Sequence, residues 1–156
     1  MKTTVLKKLT ALFSCVLLLV GCDNNNDINT LNAYPALGVC NFETPQNNQI
    51  ISNTNDIVIS GWAFNKNTNS TSDSIVLYLA NEETNKLTAI KTTSGMVRED
   101  VAKVFSNNKL TQSGFSATIT KGELTAGSYQ IVLLQADKSF IMVRCDGEKH
   151  NIIIQQ

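Results

Sequence analysis

The sequence predicts an all-β protein, an antiparallel β-sandwich of seven or eight short strands with one short helical turn. Two observations carry that expectation. Apolar and β-branched residues come in short runs, several strictly alternating, and Asn, Asp, Ser, Thr, Gly or Pro clusters separate them about every eight to twelve residues. One segment alone, Arg98 to Phe105, places Val101, Val104 and Phe105 at helical offsets.

The strands follow in order. Leu37–Phe42 is the first, stopped by Pro45 and the polar turn Gln46–Gln49. Ile57–Phe64 is rich in β-branched and aromatic residues, and a polar loop, 65–73, follows it. Ser74–Ala80 sets Ile75, Leu77 and Leu79 on one face and Val76 and Tyr78 on the other. Leu87–Thr92 comes after the turn Glu82–Asn85. Beyond the helical turn, Phe115, Ala117 and Ile119 alternate with Ser116, Thr118 and Thr120. Tyr129–Leu134 and Phe140–Cys145 are the next two strands, and a hairpin loop through Asp146-Gly147 is expected to lead into Asn151–Gln155.

Ahead of this region lies a leader. Lys2, Lys7 and Lys8 precede an apolar run, Leu9–Val20, and small residues lead to Cys22. The run is shorter than the ~20 residues a bilayer core requires, which is the pattern of a secretory signal. Leu19-Val20-Gly21-Cys22 resembles the lipobox of bacterial lipoproteins. That resemblance implies cleavage before Cys22, diacylation of its sulfur, and attachment to a membrane through the acyl chains. Asp23-Asn24 resembles the signal that retains enteric lipoproteins in the inner membrane, so a periplasm-facing inner-membrane anchor is favoured over the outer membrane. The expected organisation is a signal peptide over 1–21, a flexible Asn-rich tether over 22–36 and one domain over 37–156. The tether would span ~20 Å as a flexible chain.

Removing residues 1–21 takes three of the thirteen Lys and Arg and none of the thirteen Asp and Glu, leaving about −3. A weakly acidic exported domain is no nucleic-acid binder, which would need clustered cations. Of four cysteines, Cys15 falls in the leader and Cys22 takes lipid, so Cys40 and Cys145 are expected to pair in an oxidising compartment.

Four motifs carry a second resemblance: Gly61-Trp62-Ala63, Arg98-Glu99-Asp100-Val101, Gly114-Phe115, and Leu124-Thr125-Ala126-Gly127 before Tyr129. In this order they resemble an immunoglobulin-like β-sandwich module of bacterial envelope proteins. Glu99 stands where such modules often carry Pro, and the two cysteines and the Ile-rich last strand are additions. The resemblance implies the fold and an accessory role more than an activity.

Read from the residues themselves, Gly61 admits close approach of a neighbouring strand and Trp62 belongs to the core. Arg98 and Asp100 are expected to lock the helical turn to the sheet by a charged hydrogen bond. A functional alternative makes Trp62 and Tyr78 a sugar-stacking platform with Arg98 as anchor. His150 is the one imidazole and reads as a solvated loop residue, and Glu82-Glu83 as a solvated turn. No nucleophile elbow, phosphate loop or zinc spacing is present, so no enzyme, cofactor or metal is expected. The expected role is a non-catalytic binding or accessory module with a membrane attachment and a protein partner in the envelope, a glycan being the other candidate ligand. The alternatives are an inhibitor or immunity lipoprotein presenting loop 65–73 or 146–151 to a lytic enzyme or phage component, and, more remotely, an envelope-glycan hydrolase.

Overall fold

In the computed structural model, residues 27–139 and 141–156 are described. The leader, Cys22 and the start of the expected tether lie outside them. The described chain is mostly strand: β1 (Ala36–Thr44), β2 (Gln49–Ser52), β3 (Ile57–Asn65), β4 (Ser74–Asn81), β5 (Leu87–Ile90), β6 (Thr92–Met96), β7 (Gly114–Ile119), β8 (Gly127–Ala136), β9 (Met142–Cys145) and β10 (His150–Gln155). Two short helices, α1 (Ile28–Asn32) and α2 (Glu99–Val104), and a 3₁₀ turn at Asn108–Leu110 complete it.

The strands form two arms. One runs β5-β4-β8-β10-β2 and the other β1-β3-β7-β6. β9 joins them, pairing antiparallel with β8 and parallel with β1. The inward residues of both arms enter one core: Ile57, Ile59, Phe115 and Ile119 from one, Leu77, Leu79, Ile131, Leu133, Ile152 and Ile154 from the other. Period-two alternation puts them there, since successive strand side chains point to opposite faces.

Two strands break the alternation. In β8 the run Ile131-Val132-Leu133-Leu134 is buried throughout. Its outward residues, Val132 and Leu134, are covered by Leu31 of α1, itself only 4 % exposed, with Ile28, Tyr34 and Tyr78 around them. In β3 the outward Phe64 is covered by Val101 and Ala102 of α2 and by Leu110. Each helix thus exists because a strand is apolar on both faces. Asp27 starts α1, its carboxylate accepting from the backbone N–H groups of Asn29 (2.9 Å) and Thr30 (3.1 Å).

Several expectations change. Residues 27–36 are not tether; they form α1 and its exit and pack on the domain. Ten strands replace seven or eight. β2 and β6 escaped notice because they are short edge strands with exposed side chains. β9 and β10 make no hairpin. Both pair with β8, along different stretches of it, and 146–149 is a crossing between them.

Cys40 and Cys145 are joined, as expected, with Cα atoms 5.8 Å apart and a sequence separation of 105. The bond ties β1 to β9, where the arms meet. Loop closure over that length is worth up to ~4.7 kcal/mol in the chain-entropy model. A Cys40→Ser/Cys145→Ser double variant should therefore lose on the order of 2–4 kcal/mol in urea melts. Non-reducing peptide mapping of the parent should recover the two cysteines linked, and two free thiols would remove the staple.

Candidate functional site

Three of the four motifs gather around β3 and the fourth sits at the start of β8, and each proves to have a packing reason. A Cβ on Gly61 would collide with the carbonyl oxygen of Asn41 on β1, so only glycine lets the two strands meet there. A Cβ on Gly114 would lie 2.9 Å from Met96 and 3.0 Å from Cγ of Arg98, so the arginine stem passes over a bare backbone. Phe115 fills the core and meets Phe42 edge-on at 5.8 Å. Leu124 is buried, and the Tyr129 hydroxyl donates to the Thr125 carbonyl at 3.1 Å, closing the turn before β8.

Arg98 is the centre of a charged cluster. Its Nε and one terminal nitrogen donate to the Asp100 carboxylate at 2.9 and 2.6 Å. Both terminal nitrogens also reach Glu43 of β1, at 3.0 and 2.7 Å. The Arg98–Asp100 pair is local to the start of α2; it is Glu43 that fastens this segment to the sheet. Sequence reading missed Glu43, which lies 55 residues away at a bulge in β1. The only available signal was a lone acid near the end of a strand. The guanidinium is 18 % exposed while Glu43 and Asp100 are 44 % and 63 % exposed, so the pairs sit at the surface. Hydrogen bonds from Arg98 hold the Asp100 carboxyl down to about 2, and the two carboxylates push the guanidinium higher still.

Trp62 points to the outer face of β3 and is half-buried. It stacks on Phe64 at 6.0 Å and meets Phe105 edge-on at 5.6 Å. It is therefore a cover over the α2 cluster and not part of the main core. Tyr78 belongs to the opposite arm, beneath α1. The two aromatics lie in separate clusters, so the Trp62–Tyr78 stacking platform does not form.

His150 is not a solvated loop residue. It opens β10, packs on Phe42 at 4.7 Å and donates from Nε2 to the Pro45 carbonyl at 2.8 Å. It borders a cleft of about 320 Å³ lined by the disulfide, Phe42, Arg144 and the 146–149 crossing. Glu82 also has partners, accepting from Ser128 (2.5 Å) and Asn151 (3.1 Å). Among the described residues no group of His, Cys, Asp and Glu could hold a metal ion. No protein-family model matches the chain, and no curated protein matches it.

Loop 65–73 is held in place by its neighbours. The Asn65 N–H donates to the Ser70 carbonyl at 3.0 Å, and the Asn107 side chain donates to the Asn69 carbonyl at 2.8 Å. Beneath them Gln135, fully buried, accepts from the Ser72 hydroxyl at 2.9 Å and donates to the Phe64 carbonyl at 3.3 Å. Phe105, Asn107 and Trp62 continue this ordered region towards the aromatic cluster.

Three outcomes check this account. Arg98→Ala should lower stability by roughly 1–2 kcal/mol in urea melts, and Arg98→Lys should not restore it, because a single ammonium cannot make both forked contacts. Asp100 titrates lower in the folded chain than in the unfolded one, so its contribution is complete above the ordinary carboxylate range and fades as pH falls toward about 2. Asp100→Asn should flatten that acid limb. Trp62→Ala should cost about 2 kcal/mol, less than the 3–5 of a fully buried aromatic; a loss of only a few tenths would mean that the ring covers nothing.

Proposed function

We propose that this is a membrane-anchored envelope lipoprotein whose single immunoglobulin-like β-sandwich domain works by binding and not by catalysis. The observation that carries the reading is the Cys40–Cys145 disulfide. Structural disulfides belong to oxidising compartments, and a leader ending in Leu19-Val20-Gly21-Cys22 would deliver the chain to one. Three independent features therefore agree on address: basic-then-apolar leader, small residues before a cysteine, and a paired thiol set downstream. Two or three acyl chains, at ~0.8 kcal/mol per buried methylene, would hold the domain on its membrane essentially permanently.

The immunoglobulin-like assignment is supported by two arms sharing one core and by the Tyr129–Thr125 bond at the start of β8. A tyrosine that bonds back to the backbone a few residues upstream is a mark of that fold. A binding role is supported by loop 65–73, which is held from below by Gln135 and so is ordered before any partner arrives. A protein partner in the envelope fits that surface, and a glycan stacking on Trp62 alone is the lesser reading. The inhibitor reading uses the same loop and differs only in its partner.

Cys22→Ser should leave the leader uncut and release the domain from the membrane fraction once the leader is removed by other means. A variant processed and sedimenting like the parent would end the lipoprotein reading. Crosslinking in intact cells through loop 65–73 should capture one envelope protein. Suppression of a lytic enzyme by the purified domain would identify that partner as a target and the protein as an inhibitor.

A further inference from the structure

The position of α1 fixes how such a domain would sit on its membrane. Asp27 makes a β-bridge with Lys86, in the turn between β4 and β5. The chain then crosses the outer face of β8, pinned by Leu31 on Val132 and Leu134. It reaches the opposite end at Tyr34 and Pro35, whose carbonyls accept from Arg144 at 3.2 and 2.9 Å. Leu37 there accepts from the N–H of Lys66, the first residue after β3. Residues 27–37 thus run the length of the domain, from the 82–86 turn to loop 65–73.

The 82–86 turn has company at its end. Thr84 and Lys86 share a surface hollow with Glu123, Leu124 and Thr125, and the Lys121 N–H donates to Asp56 at 2.9 Å. The turns 53–56, 82–86 and 120–126 therefore form one end. Loop 65–73, the 105–111 segment bonded to it, and the end of β8 with the start of β9 belong to the other.

Resting on the lipid-anchor reading above, we propose that the end formed by 53–56, 82–86 and 120–126 faces the lipid headgroups, and that loop 65–73 with Phe105 points away from the bilayer. Five residue steps separate Cys22 from Asp27. Even fully extended they span no more than ~18 Å. That is shorter than β3, whose nine residues run ~27 Å between the two ends. A domain held by so short a lead beside the 82–86 turn cannot present its far end to the membrane without stripping Leu31 from its site. Charge does not set the orientation, because the near-end turns carry Asp56, Glu82, Glu83 and Glu123 against Lys86 and Lys121. An anionic bilayer would not attract that end, and the tether alone holds it there.

The test uses the full lipidated protein in phosphatidylethanolamine–phosphatidylglycerol vesicles carrying a headgroup-borne energy acceptor. A donor dye is placed through Glu83→Cys or through Asn67→Cys, both exposed positions. Transfer should be about twofold or more stronger from position 83 than from 67, given the ~27 Å between ends. The contrast should survive 0.5 M salt and shrink when about twelve Gly-Ser residues are inserted after Asn26. Equal transfer from the two positions, or stronger transfer from 67, on protein that remains vesicle-bound, would overturn the orientation while leaving the anchor intact. Vesicle binding by Cys22→Ser equal to that of the lipidated parent would instead overturn the anchor, and this proposal with it.

Discussion

The burial of β8 on both faces is the constraint on which the rest of the molecule depends. Its inward residues Ile131 and Leu133 belong to the shared core, which any half-buried strand would satisfy. Its outward Val132 and Leu134 demand a second cover, and an uncovered pair would leave two large side chains in water at a cost of about 1.5–3 kcal/mol each. The chain meets this with Leu31, drawing ten residues of an Asn-rich, unpromising segment onto the domain. The same strand receives β4 along one edge and β10 and then β9 along the other. Both the continuity of the arms and the route of the amino-terminal segment follow from it.

The charged cluster at Arg98 is organised by the same logic on the other arm. α2 has only six residues and no side-chain cap at its start. A helix that short does not persist on propensity alone. Val101 and Ala102 give it an apolar footing on Phe64, and the Arg98 fork gives it a lateral one on Glu43. Gly114 is bare because the arginine stem crosses it. An Arg-x-Asp-Val segment and a Gly-Phe strand thus belong together for a steric reason. The motifs are coupled parts of one joint, which is why they say much about fold and little about chemistry.

The strands with strong periods were legible in the sequence, because β3, β4, β7 and β8 each carry three apolar residues in register with the core face. The disulfide was legible by elimination among four cysteines. What escaped was whatever long-range geometry decides: Glu43 as the partner of Arg98, the parting of β9 from β10, and the two faces that separate Trp62 from Tyr78. The α1 segment is the instructive miss. Its own composition reads as linker, yet the unbroken Ile-Val-Leu-Leu of β8 already required a cover on its second face. The signal sat in the strand that is covered and not in the segment that covers it.

That coupling bears on how the domain would recognise a partner. Gln135 lies in β8, one residue beyond the doubly buried run, and its amide holds Ser72 and the Phe64 carbonyl together from inside. A buried amide with both functions satisfied is rigid, and breaking either bond would strand a polar group in the core. Loop 65–73 is therefore ordered by the same strand that binds α1. Its Asn, Ser and Thr side chains offer donors and acceptors on a backbone whose ordering entropy has already been met in folding. A loop built this way favours a partner that matches its shape over one that remodels it, and it stands beside Phe105 and Trp62, which supply apolar area next to the polar rim. The strand that sets the route of α1 also stiffens the surface at the opposite end, so on the proposed reading anchoring and recognition would be separated by the length of the domain.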